Sequence, residues 1–422
     1  MKIIAPYAYF APEQAASSYL WKNLHEDFAK AGIDCVVYVP IPTRGISKEI
    51  RANYKKNYAT EVMYDGKLLI KRFPLYGEGK NPIARAARYF LSCGIQFAKC
   101  MWGKEAKDGS VLFMASTPPI IGMMGAFVKK FRGVPFVYSL QDIFPDSLVG
   151  TGLGKKSGML WKIGRVIENY IYKYSDKIIV ISEDFKRNIM AKGVPEEKIV
   201  VVYNWVDQNA VVDIPRDRNK LFDMYGLDRE KFYVSYNGNI GLSQNMNMLL
   251  QVAEEFQSSN VQEFQDIHFV LVGEGAYKAQ VEKMVEEKKL ENVHLIPFQP
   301  YEDISYVFSL GDASLVISKP GTGAASVPSK AWSIMSASRP VLANFDENEL
   351  KDIITDNNCG IFTKADDKEA FKESISTLYN NRELAREMGK NGRAFVMKNL
   401  TREVGTAKYV QVIKSVVQEK NK

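Results

Sequence analysis

The stretch VSYNGNIGLSQNM at 234–246 decides the fold. A β-rich run, Phe232 to Tyr236, leads into Asn237-Gly238-Asn239-Ile240-Gly241, and a helix is expected to start near Ser243. Strand, glycine loop and helix form the repeating unit of a doubly wound α/β domain, in which the glycines admit close backbone approach by an anion. The same residues also fit a plain Asn-Gly turn. No lysine or arginine lies between Lys231 and Lys278, so an anion held here needs its countercharge from elsewhere in the chain.

Outward from that loop, the β-α alternation continues in both directions. Towards the C-terminus, strands are expected at 267–272, 293–296, 314–317 and 340–343, with helices at 243–257, 276–288, 301–310, 328–337 and 366–380. Towards the N-terminus, strands are expected at 2–5, 35–39, 68–72, 111–115, 136–140 and 178–181, with helices at 19–30, 83–102, 121–131, 158–175 and 183–192. Such alternation implies parallel sheets covered on both faces. With 422 residues, the chain is too long for one ordinary core, and domains of roughly 100–200 residues make two the simplest reading. Asn204-Trp205-Val206-Asp207 and the stretch around Pro215 read as the hinge. The expected division is 1–206, 207–401 and a last helix within 402–422 that packs back across the hinge. In open sheets of this kind ligands bind at the carboxyl ends of the strands, so two such domains face each other across a cleft.

Composition narrows the class. Hydrophobic residues make up 46% and charged residues 25%, and the four isolated cysteines give neither a disulfide framework nor zinc spacing, which suggests a reducing, cytoplasmic setting. The net charge of +7 is uneven: residues 1–207 carry 30 basic and 19 acidic side chains, and Arg44 to Lys107 alone carries 14 and 5. A basic excess of this kind attracts phosphates, of nucleic acid or of a lipid headgroup, or is only a solvated face. No signal peptide is visible. The apolar run Val111 to Val128 is split by Pro118-Pro119 and reads as strand, loop and helix rather than a membrane span.

Several stretches at strand ends carry chemistry. A second glycine pair, Gly273-Glu274-Gly275, ends the strand after the opening loop, and two such pairs at adjacent strand ends favour a nucleotide site. Pro328-Ser329-Lys330 begins a helix after Gly321-Thr322-Gly323, so Lys330 is the candidate countercharge and the helix dipole adds a partial one. Lys319 is a second candidate. Gln141-Asp142-Ile143-Phe144-Pro145-Asp146 puts two carboxylates at a strand end. Asp142 suits orienting a hydroxyl or stabilising positive charge, whereas Asp146 reads better as a helix cap. Three scattered histidines make no metal site, and neither an Asp-x-Asp element nor a Gly-x-Ser-x-Gly elbow is present. The first strand lacks the Gly-x-Gly-x-x-Gly of a nicotinamide enzyme, and no nucleic-acid-reading motif accompanies the basic stretch.

Taken in order, YFAPEQAASS (9–18), STPPIIG (116–122), QDIFPDS (141–147), SDKIIVISEDFKRNI (175–189), KIVVVYNWVD (198–207), YNGNIG (236–241), LVGEG (271–275), IPFQPYEDI (296–304) and VPSKAWSIMSASRPVLA (327–343) resemble retaining GT-B glycosyltransferases of the family 4 type. The branch is similar to the bacterial fucosamine and colanic-acid-type transferases of surface polysaccharide synthesis. The resemblance implies transfer of a sugar from a nucleotide sugar, typically UDP-linked, with retention and without a metal or other cofactor. It implies donor binding by Gly238, Asn239, Gly241, Ser243, Gly273, Glu274, Gly275, Phe298, Pro328, Ser329 and Ser333, with Asp142 and Lys330 as catalytic residues. An acceptor-side loop would contain Glu13, Ala15, Ala16 and Ser17.

The implied acceptor is a polyprenyl-diphosphate-linked or related glycan, which puts the protein on the inner face of the cell membrane. There the 44–107 region would meet anionic lipid, with Arg85, Arg88 and Lys99 at headgroups and Phe90, Leu91 and Phe97 dipping in. Other polysaccharide-synthesis enzymes are possible partners; nucleic acid is not expected. Such proteins commonly carry Lys or Arg at Ser243, Gly at Asn245, Glu at Ser333 and Gly at Ser338. These departures admit a second reading, a non-catalytic GT-B partner in the same pathway.

Overall fold

A computed structural model describes residues 1–13, 18–57, 60–78, 81–116, 118, 120–146, 158–323 and 327–420. The chain divides into two compact units, one of Met1–Asn204 with Glu403–Lys422 and the other of Trp205–Arg402. The last helix, Arg402–Lys420, thus belongs almost wholly with the first unit. There Tyr409 reaches Ser139 by a 3.1 Å hydroxyl contact and meets Phe113 edge-on.

The first unit is built on eight strands: β1 Lys2–Pro6, β2 Asp34–Pro40, β3 Glu61–Met63, β4 Leu68–Phe73, β5 Val111–Ala115, β6 Phe136–Leu140, β7 Lys177–Val180 and β8 Ile199–Val201. They lie in the order β3-β4-β2-β1-β5-β6-β7-β8. Every pairing is parallel except that of β4 with the edge strand β3, which is antiparallel; the sequence reading has β4 and omits β3. β5 and β6 are buried at every position, which is what a parallel strand covered on both faces requires.

The second unit has six strands: β9 Phe232–Asn237, β10 Ile267–Val272, β11 Val293–Ile296, β12 Ala313–Ile317, β13 Val341–Phe345 and β14 Gly360–Lys364. Their order, β11-β10-β9-β12-β13-β14, is wholly parallel. Strand order reverses between β9 and β12, which makes that boundary the switch point at whose carboxyl edge open α/β sheets bind ligands. All six residues of β9 are buried, and the Ser235 hydroxyl among them meets that of Ser314 on β12 at 2.7 Å. Phe232, Val234 and Tyr236 pack into one core with Leu249, Phe256 and Phe269.

Boundaries differ from the sequence reading where caps decide them. The helix after the glycine loop starts at Met246 rather than near Ser243, because Gln244 turns back to accept from the Gly241 amide. The expected helix at 301–310 is a 3-10 turn, Tyr301–Asp303, followed by a short helix, Ile304–Phe308. Helices Lys48–Lys56, Lys220–Met224, Glu349–Asp356 and Arg382–Asn399, and strands β8 and β14, are additions to the sequence reading.

Candidate active site

In the second unit, the carboxyl ends of β9 and β10 touch backbone to backbone. The Gly238 amide donates to the Val272 carbonyl at 2.9 Å, and the Ile240 amide to the Glu274 carbonyl at 2.9 Å. A Cβ on Gly273, whose φ is +156°, would sit 1.9 Å from the Gly238 carbonyl oxygen, and one on Gly275 would sit 2.2 Å from that of Ile240. Glycine is therefore required on β10's side by close approach, independently of any ligand.

Lys330 reaches into this ledge from the start of the helix Lys330–Ser336. Its ammonium lies 3.9 Å from the centre of the Tyr236 ring and 3.4 Å from where a Gly238 Cβ would be. Among the described residues no carboxylate pairs with it, and burial pulls the amine down to about 7. A buried amine held only against an aromatic face is a cation waiting for an anion, since unpaired burial disfavours its charged form. Two further groups lack partners nearby: Asn237 Oδ1 at the end of β9 and Ser318 Oγ just past β12 are buried without a hydrogen bond. Unsatisfied buried polar atoms at the switch point fit a ligand's polar groups.

The loop amides divide differently from the expectation. Of the four at 238–241, those of Gly238 and Ile240 hold β10's end, and that of Gly241 holds Gln244 Oε1 at 3.0 Å, which leaves the exposed Asn239 amide. Likewise the Ala331 and Trp332 amides are bonded to the Pro328 and Ser329 carbonyls, so the helix start offers only its first amides. Ser243 is exposed, and its carbonyl accepts from the Lys319 amide at 2.8 Å. Lys319 lies 5.6 Å from the Tyr277 ring. Glu274 pairs with Lys278 at 2.6 Å on the surface, Phe298 is largely exposed beyond β11, and Ser333 is half-buried. At two of the positions where resembling proteins carry glycine, Asn245 bonds Asp366 at 2.7 Å and Ser338 holds φ +55°.

In the first unit, Asp142 is exposed just past β6, with its amide and that of Gln141 donating to Ser116 Oγ at 3.2 and 2.9 Å. Asp146 is tied down: it pairs with Lys192 at 2.7 Å and accepts from Trp161 and Asn188. Burial pushes its carboxyl up, but those donors outweigh it and hold Asp146 below the usual carboxylate range. Glu13 is buried and accepts from the amides of Thr43 at 2.8 Å and Arg44 at 3.1 Å, so it clamps the β1 loop to the segment after β2. Ala15, Ala16 and Ser17 lie outside the described residues.

The amphipathic helix Pro82–Trp102 corrects one detail. Arg88 is buried, donating to the Tyr76 carbonyl at 2.9 Å, and is unavailable to headgroups. Phe97 packs inward against the core of the first unit and meets the exposed Trp102 edge-on. The exposed apolar groups are Phe90, Leu91 and Trp102. No helix among the described residues is long and apolar enough to cross a membrane, and no cluster of three or more His, Cys, Asp or Glu among them fits a metal ion. His25 bonds Tyr7, and His268 bonds His294, both inside the two units.

Sequence reasoning missed Tyr236, whose ring seats Lys330. An aromatic residue one position before Asn-Gly was the only signal, and it reads equally as core.

Residues 217–395 match the family described as glycosyl transferases group 1, and residues 19–210 match glycosyltransferase family 4. The chain is a glycosyltransferase of this type, with the GT-B fold. Among its relatives, a putative colanic acid biosynthesis glycosyl transferase, WcaI, of Escherichia coli is 29% identical over 349 residues, covering 80% of this chain and 81% of the relative. A probable glycosyltransferase, WbjE, of Pseudomonas aeruginosa is 22% identical over 75% of this chain and 77% of that protein. In fold, the glycosyltransferase resembles HepE of Anabaena in complex with UDP, with TM-score 0.71 and 15% identity over 98% of this chain and 100% of that one.

Proposed function

We propose that this glycosyltransferase moves a sugar from a UDP-sugar to a lipid-linked glycan in bacterial surface polysaccharide synthesis, with retention of anomeric configuration. The observation that carries the donor site is the buried Lys330 amine, without a carboxylate partner, against Tyr236 and Gly238. In the reaction the bond from the anomeric carbon to the β-phosphate oxygen breaks while a bond to the acceptor hydroxyl forms, and the hydroxyl proton passes to the departing phosphate. Negative charge grows on that phosphate, and a positive group already fixed in a low-dielectric setting stabilises it without reorganising. Lys330 fills that role, with the Asn239 amide and Asn237 Oδ1 available to orient the nucleotide. Asp142, at the carboxyl end of β6, orients the acceptor in the first unit.

Support for the pathway comes from relatives named for colanic acid and capsular polysaccharide biosynthesis, and support for UDP from the HepE complex. The acceptor's lipid anchor accounts for the exposed Phe90, Leu91 and Trp102 on a basic unit, which we assign to the membrane surface. Calorimetric titration of UDP tests the donor site. The intact protein binds one UDP, and Lys330→Ala weakens it by about ten- to a hundredfold, the loss of a charge-assisted contact worth roughly 1.5–3 kcal/mol. Equal affinity in both proteins refutes the assignment. Sedimentation with phosphatidylglycerol vesicles that falls as salt rises tests the membrane assignment, and an unchanged soluble fraction refutes it.

A further inference from the structure

We propose a second anion site on the C-terminal unit, at the edge of the sheet opposite Lys330, built for a small soluble phosphate ester. A cavity of about 470 Å³ opens where β12 and β13 begin, bordered by Gly311 and Asp312 before β12 and by Ser338 to Pro340 before β13. Strands of five or six residues rising about 3.3 Å each separate this edge from the glycine ledge by roughly 15–20 Å, so the two sites are distinct. A volume of this size suits a sugar phosphate or a nucleotide.

Its lining carries five cationic side chains and two acidic ones. Asp312 is shared by Arg216 at 2.5 Å and Arg382 at 3.6 Å, and Asp213 pairs with Arg339 at 2.9 Å. Both carboxylates are thus already taken. Arg386 and Lys390 have no ion pair or hydrogen bond among the described residues, and Arg339 Nε is buried without a partner. Arg382, Arg386 and Lys390 stand four residues apart on the helix Arg382–Asn399, so three like charges share one stripe, which an unliganded helix disfavours.

The wall is rigid. Gly389 lies between the two unpaired cations, and a Cβ there would sit 2.1 Å from the Ser338 carbonyl oxygen, so the helix is seated directly on the turn before β13. Arg382 is further fixed over the Phe232 ring at 4.2 Å. An excess of cationic side chains around a concave site, two of them unpaired, matches the oxygens of a phosphate, to which arginine bonds bidentately.

The test uses the full chain carrying Lys330→Ala, which removes the proposed donor-site cation, so failure here and failure of the UDP assignment are separable. Calorimetry with inorganic pyrophosphate is expected to give one site, with a hexose 6-phosphate competing for it. Adding Arg386→Ala and Lys390→Ala, both exposed, is expected to weaken pyrophosphate at least about tenfold while leaving the thermal unfolding midpoint in place. No pyrophosphate binding, affinity unchanged by the double substitution, or binding confined to phosphatidylglycerol vesicles overturns the proposal.

Discussion

Raising the pH from 7 to 9 should dismantle donor binding through one amine. Burial draws Lys330 down to about 7 from an ordinary value near 10.5. In the free protein about half of the amine is then charged at pH 7, about a tenth at pH 8 and about a hundredth at pH 9. If the diphosphate binds the charged form, the apparent Kd of UDP rises about fivefold between pH 7 and 8 and about tenfold between 8 and 9. Its own terminal phosphate, titrating near roughly 6, is already ionised throughout. Each binding event at pH 8 takes up about 0.9 proton, which calorimetry in two buffers of different ionisation enthalpy measures directly. The sign for stability is opposite. Below pH 7 the amine is charged both folded and unfolded and its burial cost is complete. Between about 7 and 10.5 the unfolded chain holds the proton more tightly, so the unliganded protein gains stability as pH rises. A Lys330→Met protein should bind weakly with a flat pH profile. Flat affinity and no proton uptake in the unsubstituted protein refute the reasoning.

Three further predictions concern the ledge and the departures from the family pattern. Gly273→Ala places a methyl 1.9 Å from the Gly238 carbonyl oxygen and should destabilise the protein by more than about 2 kcal/mol in urea unfolding; Gly321→Ala, at φ +78° with open space around it, should cost only about 1 kcal/mol. Ser338 holds φ +55°, so Ser338→Gly should stabilise by roughly 0.5–1 kcal/mol, read as a higher denaturation midpoint with unchanged slope. Ser243 is exposed beside the glycine loop, and Ser243→Lys should tighten UDP by about tenfold in calorimetry without moving the unfolding midpoint.

What the sequence disclosed follows from which forces are local. β9 and β10 are legible because a strand covered on both faces is mostly apolar or β-branched, which their runs of Phe, Tyr, Val, Ile and Leu satisfy. β8 has three residues and β14 opens on Gly360 with mostly half-buried positions, so neither carries a periodic signal. The helix Arg382–Asn399 hides behind Gly389 and Gly392, which read as breakers and are instead contacts: a Cβ at 389 meets the Ser338 carbonyl and one at 392 meets Met335. At the site, Pro328-Ser329 announced a helix start and with it Lys330. The seat of that lysine on Tyr236, and the use of the Gly241 amide by Gln244, depend on tertiary packing that no local pattern encodes. Arg88 illustrates the converse, since a cation on an amphipathic helix reads as solvated while its guanidinium is buried against the Tyr76 carbonyl.

The central claim is that this chain transfers sugar from a UDP-sugar with the help of Lys330. Release of UDP from a panel of labelled UDP-sugars, with a polyprenyl-diphosphate-linked glycan present, measures it most directly. The account predicts turnover with at least one donor, reduced by about a hundredfold or more in Lys330→Ala, and a product of the donor's own anomeric configuration. No turnover across the panel by a folded protein that also fails to bind UDP would contradict it.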